Sequence, residues 1–261
     1  MSSTLLIIDA MNLIRRIYAI QEKQQGENQK AVDKTKETAC NALKKLLNIH
    51  QPTHVICVFD SHCPSWRHQL YPLYKQGRKP IPARLKAGLE EIQDSFFEMG
   101  IESLITETDE ADDLIATLAI KMEKSGQKSI IVSTDKGFYQ LLSKQTVIYD
   151  YFQHSYTDTG RVLNKMGLSV DKLTDYWAMT GISSSAIKGV EGIGEKGALA
   201  LLHQYGSLQK LFDTTVDEQD KRLSKVKKAE KEARLAKQLV SLKNDIELGF
   251  NLQDLRYKKN H

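Results

Sequence analysis

The sequence predicts an α/β fold, a mostly parallel sheet flanked by helices, followed by a helical C-terminal region. Three observations predict it. The apolar runs Leu5–Ile8, His54–Phe59 and Ser129–Ser133 have the length of strands and alternate with segments whose apolar residues recur at helical spacing. The chain between the first two runs is long enough for a helical crossover, which favours right-handed, parallel pairing. From about Ser169 onward the strand signals fade and helical ones dominate. The expected division is therefore 1–168 for the sheet core, including a basic stretch at about 61–86, and 169–261 for the helical region.

In chain order, the strand Leu5–Ile8 leads into a short helix over Asn12–Tyr18. Gln21–Lys36 is polar, without a strong apolar period, and reads as a loop. Ala39, Ala42, Leu43, Leu46 and Leu47 then mark a helix over Thr38–Ile49, closed by Pro52 before the second strand. Asp60–Pro82 reads as a long loop, punctuated by Pro64, Pro72, Gly77, Pro80 and Pro82. A helix over Arg84–Glu98 and a strand over Ile101–Ile105 follow. Leu114, Ile115, Leu118, Ala119 and Met122 give the next helix a core-facing stripe, and Gly126 ends it. Beyond the strand Ser129–Ser133, a short helix at Gln140–Leu142 and a strand at Thr146–Tyr149 complete the sheet region. In the C-terminal region, helices at Asp171–Met179 and Glu195–Tyr205 are joined by a glycine-rich segment, and Lys221–Lys237 reads as a basic helix.

Composition bounds the class. With 261 residues, 27% charged and 41% hydrophobic, the chain is ordinary for a soluble protein. The apolar runs are strand-sized and the first is cut off by Asp9, so no signal peptide or membrane span is expected, and the expected location is the cytoplasm. Cys40, Cys57 and Cys63 lack metal-type spacing, and the seven histidines form no zinc-type cluster.

The acids carry the chemistry. Glu110-Ala-Asp-Asp113 places three carboxylates at a helix start, where they either complement the helix dipole or share a cation. Asp9 and Asp60 directly follow strands, and Asp135 lies just past a third, so all should meet at the carboxyl edge of the sheet, where open α/β folds bind ligands. A site built from carboxylates suits a hard cation, Mg²⁺ or Mn²⁺. The positive charge is unevenly placed. No acid occurs between Ser61 and Lys86, where Arg67, Lys75, Arg78, Lys79, Arg84 and Lys86 are interleaved with Trp66, Tyr71 and Tyr74. Cations that neutralise phosphates beside rings that stack on bases fit a nucleic-acid strand, although the rings could equally tie the loop to the core. In the segment Gly181–Gly194 the glycines serve either positive-φ turns or close approach to a phosphate. A P-loop is excluded, because Lys196 does not follow Gly194 directly and no Ser or Thr follows it.

Leu-Leu-Ile-Ile-Asp9, Val-Phe-Asp60, Arg67-His with Tyr74-Lys75 and Arg78, Glu110-Ala-Asp-Asp113, Ser-Thr-Asp135-Lys and Gly189-Val-Glu-Gly-Ile-Gly-Glu-Lys196 occur in one order. As an ordered set they resemble the 5′-nuclease superfamily of flap endonucleases and the 5′-nuclease domains of bacterial DNA polymerase I. The resemblance implies a 5′-nuclease (PIN-like) core and a basic arch admitting a 5′ single strand. It also implies a helix-three-turn-helix at about 171–205 that grips duplex DNA through a K⁺ ion. The chain departs from the pattern where Gly137 replaces a second aspartate after Asp135, and where Gly181-Ile182-Ser-Ser-Ser185-Ala186 lacks the usual acids. Those acids hold a second metal, and a shorter branch of the superfamily lacks them as well. Resemblance to that branch makes Asp112 the best single Mg²⁺ ligand, with Asp9, Asp60, Glu110, Asp113 and Asp135 acting directly or through water. It maps the K⁺ site to the carbonyls of Met179, Thr180, Lys188, Val190 and Ile193. DNA contact falls on Gly192, Ile193, Gly194, Glu195, Lys196 and Gly197, with Arg67 and Tyr74 in the arch.

On this reading Lys75 and Arg78 stabilise charge on a scissile phosphate and offset part of a missing cation. The expected activity is structure-specific but weak cleavage near a 5′ flap or single-strand/double-strand junction, by a monomer with no membrane partner. Two other classes fit in part. A junction-binding protein that lost its chemistry is motivated by Gly137, Ile182 and Ser185. A small-phosphate hydrolase would also use strand-end aspartates but leaves the basic blocks without purpose.

Overall fold

The computed structural model describes residues 3–60, 63–106, 108–215 and 220–258. These form two compact units, 1–63 with 79–158 and 243–261, and 64–78 with 159–242.

The first unit is built on a six-stranded sheet. Strands β1 (Thr4–Asp9), β2 (His54–Val58), β3 (Glu102–Leu104), β4 (Lys128–Val132), β5 (Thr146–Asp150) and β6 (Ser155–Thr157) take the order β3-β2-β1-β4-β5-β6. All neighbours pair in parallel except β6, which runs antiparallel to β5. β6 escapes sequence detection because it is only three residues long. The helices are α1 (Ala10–Gln25), α2 (Gln29–His50), α4 (Ala83–Ala87), α5 (Leu89–Glu98) and α6 (Ala111–Lys124), with α3 (Trp66–Leu70) falling in the second unit. Side chains alternate across a strand. Leu6 and Ile8 therefore enter one core with α1, α2 and α5, while the equally buried Leu5 and Ile7 point to the other face, and α6 packs on β1 and β4. Burial on both faces is why β1 reads as an unbroken apolar run.

Gln21–Lys36 is not a loop. α1 continues to Gln25, and α2 begins at Gln29, capped by Asn28, whose side chain accepts from the Ala31 N–H. Only Gly26 to Asn28 breaks the pair, with Gly26 at φ 81°. Gln, Lys and Glu are strong helix formers, and burial of Ala31, Val32 and Thr35 is enough to seat the first turns of α2.

The C-terminal segment belongs with the sheet rather than with the helical region. Arg256 bridges His54 in antiparallel fashion, Tyr257 N donates to Thr53 O at 3.0 Å, and Lys243 N donates to Asp113 Oδ1 at 2.9 Å. Conversely, the arch segment 64–78 groups with the helical unit. Ser61 and His62, where that stretch begins, lie outside the described residues.

The second unit contains α3 and then α7 (Thr159–Met166), α8 (Leu173–Thr180), the short strands β7 (Gly181–Ile182) and β8 (Ile187–Lys188), α9 (Glu195–Tyr205), α10 (Leu208–Asp213), α11 (Lys221–Lys228) and α12 (Glu230–Val240). The basic helix read over Lys221–Lys237 is thus two helices meeting at Ala229. Among the described residues no helix is long and apolar enough to cross a membrane.

Candidate active site

The strand order reverses direction at β1, which lies between β2 and β4. Such a switch point opens a crevice at the carboxyl ends of the strands. Asp9 is the last residue of β1 and pairs with Val58, so Asp60 stands two residues beyond it on the neighbouring strand. On the other side Ile8 pairs with Val132, which brings Ser133 next to Asp9 and Asp135 just beyond. Three aspartates from distant parts of the chain therefore reach one edge.

Their hydrogen bonds fix them there. Asp9 is 6% exposed, its Oδ1 accepts from Asn12 N at 3.2 Å and its Oδ2 from Ser133 Oγ at 2.7 Å. Asp60 Oδ1 accepts from Ala111 N at 3.4 Å, which ties the end of β2 to the start of α6. Asp135 caps a 3₁₀ turn, with Oδ1 accepting from Gly137 N at 2.7 Å, and donates its own N–H to Ser133 Oγ at 3.0 Å. Burial is the main cause that pushes the Asp9 carboxyl up to about 7; the negative charges of Asp60 and Asp135 add to it, against the Ser133 and Asn12 hydrogen bonds.

The Glu110–Asp113 turn divides its acids between tasks. Glu110 is the N-cap residue of α6 and 7% exposed, and Asp112 is half-buried in the first turn. Asp113 is fully buried and spends Oδ1 on the Lys243 N–H, while the next turn repeats the pattern with Ile246 N donating to Thr117 Oγ1 at 3.4 Å. This carboxylate holds the C-terminal segment through Oδ1. The six acids do not close into a ring: among the described residues no three of them lie within reach of one ion. Asp9, Asp60, Asp113 and Asp135 each turn at least one oxygen to a backbone N–H. Burial raises the proton affinity of Asp9 first and the charges of Asp60 and Asp135 add to it, so a cation at this edge would relieve both. The oxygen donors there suit a hard divalent ion.

Two arch residues are buried. Arg67 is 1% exposed, Nε donates to Leu239 O and Nη2 to Ser241 O, both at 2.8 Å, and its guanidinium lies 4.4 Å from the Trp66 ring centroid. Tyr74 is 6% exposed and packs edge-on against His68 at 5.1 Å. Both side chains are packed inside the helical unit. A buried guanidinium among carbonyls is a packing device that composition cannot distinguish from a phosphate ligand. Lys75 is half-buried at φ 55°, its N–H bound to Ser185 O, whereas Arg78 is exposed.

In the second unit, β7 and β8 bring the segments carrying the expected K⁺ ligands together. Val190 N donates to Met179 O at 2.8 Å and Ile193 N to Val190 O at 3.0 Å. Gly181, at φ 75°, and Gly189 pass so closely that a Cβ at 189 would overlap the Met179 carbonyl oxygen and stand 2.5 Å from Gly181 N. A carbonyl oxygen has two lone pairs, so these bonds leave one on each of the Met179 and Val190 oxygens. Beyond them Gly192, Gly194, Glu195 and Lys196 are exposed and Gly197 is half-buried, while the Ile193 side chain is buried.

Residues 4–167 match the family described as 5′-3′ exonuclease, N-terminal resolvase-like domain, and residues 168–261 that described as 5′-3′ exonuclease, C-terminal SAM fold. The chain belongs to the 5′-3′ exonuclease family. Within it the chain is 66% identical over 257 residues to flap endonuclease Xni of Psychromonas ingrahamii, covering 98% of each. The 5′-3′ exonuclease architecture also recurs in solved structures. One is a T5 5′-exonuclease with divalent metal ions (zinc) bound, at TM-score 0.76 and 19% identity over 91% of this chain and 89% of that one. Another is the bacteriophage T5 D15 flap endonuclease as a pseudo-enzyme-product complex with DNA and metal ions, at TM-score 0.75 and 18% identity over 91% and 88%. At these identities they show the shared fold.

Sequence reasoning about this 5′-3′ exonuclease chain missed Ser133, which bridges Asp9 and Asp135, and Asn12, whose Oδ1 accepts from both Thr134 N and Thr134 Oγ1. It also missed Arg16, held by Thr134 Oγ1 at 2.8 Å and by the Phe152 ring at 4.7 Å. The available signal was position, three and seven residues after Asp9 on the first turns of α1.

Proposed function

We propose that this chain is a Mg²⁺-dependent flap endonuclease that hydrolyses phosphodiester bonds near 5′-flap junctions in DNA. The observation that supports the reading is the placing of Asp9, Asp60 and Asp135 along one carboxyl edge at the switch point, where burial first and the neighbouring carboxylates second raise the proton affinity of Asp9. Asp112, the more open acid of the α6 turn, would hold the metal directly, with Asp9, Asp60, Glu110, Asp113 and Asp135 acting directly or through water. A divalent ion bound by them supplies Lewis-acid polarisation of the phosphate and a more acidic water. Ser133 and Asn12 keep the Asp9 oxygens oriented, and Asp60 keeps the start of α6 in register with β2. Lys75 and Arg78 supply positive charge to the phosphate in flight. The carbonyls of Met179, Thr180, Lys188, Val190 and Ile193 would hold K⁺, and the backbone of 192–197 would meet a duplex phosphate. Names given to the relatives support the flap substrate, and the T5 complexes support DNA and divalent ions.

A reduced carboxylate set makes the activity weaker than in a relative that binds two ions. One observation favours the second reading, a flap-binding protein without catalysis. Gly137 stands where a further acid would extend the site, and its N–H occupies an oxygen of Asp135. Incubating a 5′-flap duplex with Mg²⁺ and resolving the products on a gel separates them. Cleavage by wild type that is lost in Asp112→Asn supports the nuclease. Flap binding without cleavage by pure wild type replaces it with the second reading.

A further inference from the structure

The eight basic residues between Lys221 and Lys237 are not equivalent in the fold. The Lys227 ammonium donates to the Thr214 carbonyl. Lys237 pairs with Asp175 at 2.6 Å, and Arg234 pairs with Glu230 at 2.7 Å while lying 4.6 Å from the Phe212 ring centroid. Each of those three has a partner within the helical unit. Lys225 differs. It is exposed and has no carboxylate partner among the described residues, and its side chain lies across Gly192. A Cβ built on Gly192 would stand 2.6 Å from Lys225 Nζ, 3.6 Å from Cε and 3.7 Å from Cδ. Gly192 is thus glycine for two reasons, its φ of +73° and the lysine that occupies the place of a side chain.

Resting on the reading of 192–197 as the duplex-binding turn, we propose that Lys225 is a further DNA-backbone contact that grips the same phosphate from α11. Leu223 and Val226, both fully buried, fix α11 beside α9, so the lysine stem starts from a defined place. The amine sits two residues before Gly194, the N-cap of α9. A cation near the positive end of a helix is repelled unless an anion joins them, and a phosphate would turn two unfavourable neighbours into two ligands. An ammonium on a flexible stem suits this position, because it acts as a point charge and needs no bidentate geometry. The contact is with the backbone, so it is indifferent to sequence.

The test is fluorescence anisotropy of a labelled 5′-flap duplex with the full chain in K⁺ and EDTA, at rising salt, for wild type, Lys225→Met, Lys225→Arg and Lys228→Met. One lost phosphate contact lowers the salt slope by about 0.9, so across roughly a fourfold rise in salt wild type loses about 3.5-fold more affinity than Lys225→Met. Lys225→Arg keeps the charge and stays within about twofold of wild type, and Lys228→Met, exposed on the same helix, keeps the wild-type slope. Equal slopes for wild type and Lys225→Met overturn the proposal while leaving the binding turn intact. Equal losses in Lys225→Met and Lys228→Met overturn it in favour of a diffuse basic field. Absence of wild-type binding overturns both the proposal and the reading beneath it.

Discussion

Replacing Asp9 by Asn should make the metal-free protein more stable, and the gain should depend on pH. The Asp9 carboxyl is pushed from 3.8 to about 7 in the folded chain, first by burial and then by Asp60 and Asp135. The native state therefore binds this proton more tightly than the unfolded chain does. The stability it contributes is fully present below about pH 4 and is lost as pH rises towards about 7. A difference of about three pH units, at about 1.4 kcal/mol each, sets the loss at roughly 4 kcal/mol. Asparagine cannot ionise, yet its amide oxygen can still accept from Asn12 N, and its NH₂ can donate to Ser133 Oγ, which has lone pairs to spare. Urea unfolding in EDTA at about pH 4 and about pH 8 measures both proteins. The stability of the variant relative to wild type should rise by up to about 4 kcal/mol between those two conditions. Adding Mg²⁺ at the higher pH should restore the wild type and do little for the variant, because a ligand stabilises only the state that binds it. Parallel pH dependences for the two proteins in EDTA would refute the reading of Asp9 as a buried carboxyl that holds its proton.

Arg67→Met should lower stability by about 3–5 kcal/mol in thermal or urea unfolding, since it strips the Leu239 and Ser241 carbonyls of a buried donor. Its flap affinity, measured below the melting point, should stay within about twofold of wild type, a result opposite to that of a phosphate ligand. Asp113→Ala should cost about 1–3 kcal/mol and loosen 243–246, read as faster amide exchange at Lys243, while Asp112→Asn should leave stability within about 0.5 kcal/mol and remove cleavage. Gly189→Ala should abolish the K⁺ dependence of duplex binding, because the new methyl group collides with the Met179 carbonyl that shapes the turn; binding that still responds to K⁺ argues against the cation site. Asp220→Ala, which removes the acceptor for Arg222 N and Leu223 N, should cost about 1 kcal/mol of helical-unit stability by chemical denaturation.

Much of this chain is legible without coordinates, because its strongest signals are local. Leu5–Ile8 reads as a strand because an unbroken apolar run of that length suits burial on both faces, and Asp9 closes it at the carboxyl edge of the sheet. Gly181 takes the positive φ that is one of the two readings of its segment, and Glu195–Tyr205 is a helix with the bounds its periodicity gives. Where the sequence was silent or misled, a long-range partner outweighed local character. The sequence gives no sign of the partners of Arg67 and Asp113 inside the fold, because only the return of 239–243 supplies those carbonyls and that N–H. Ser133 became a bridge only when β4 aligned beside β1. Gln21–Lys36 became helical because the buried face of α2 reaches back to Ala31. Periodicity and the chemistry of each residue type thus determined the elements and the strand-end acids. Which charges face solvent and which are spent inside was decided by tertiary packing, because the cost of burying a charge depends on the partner that meets it.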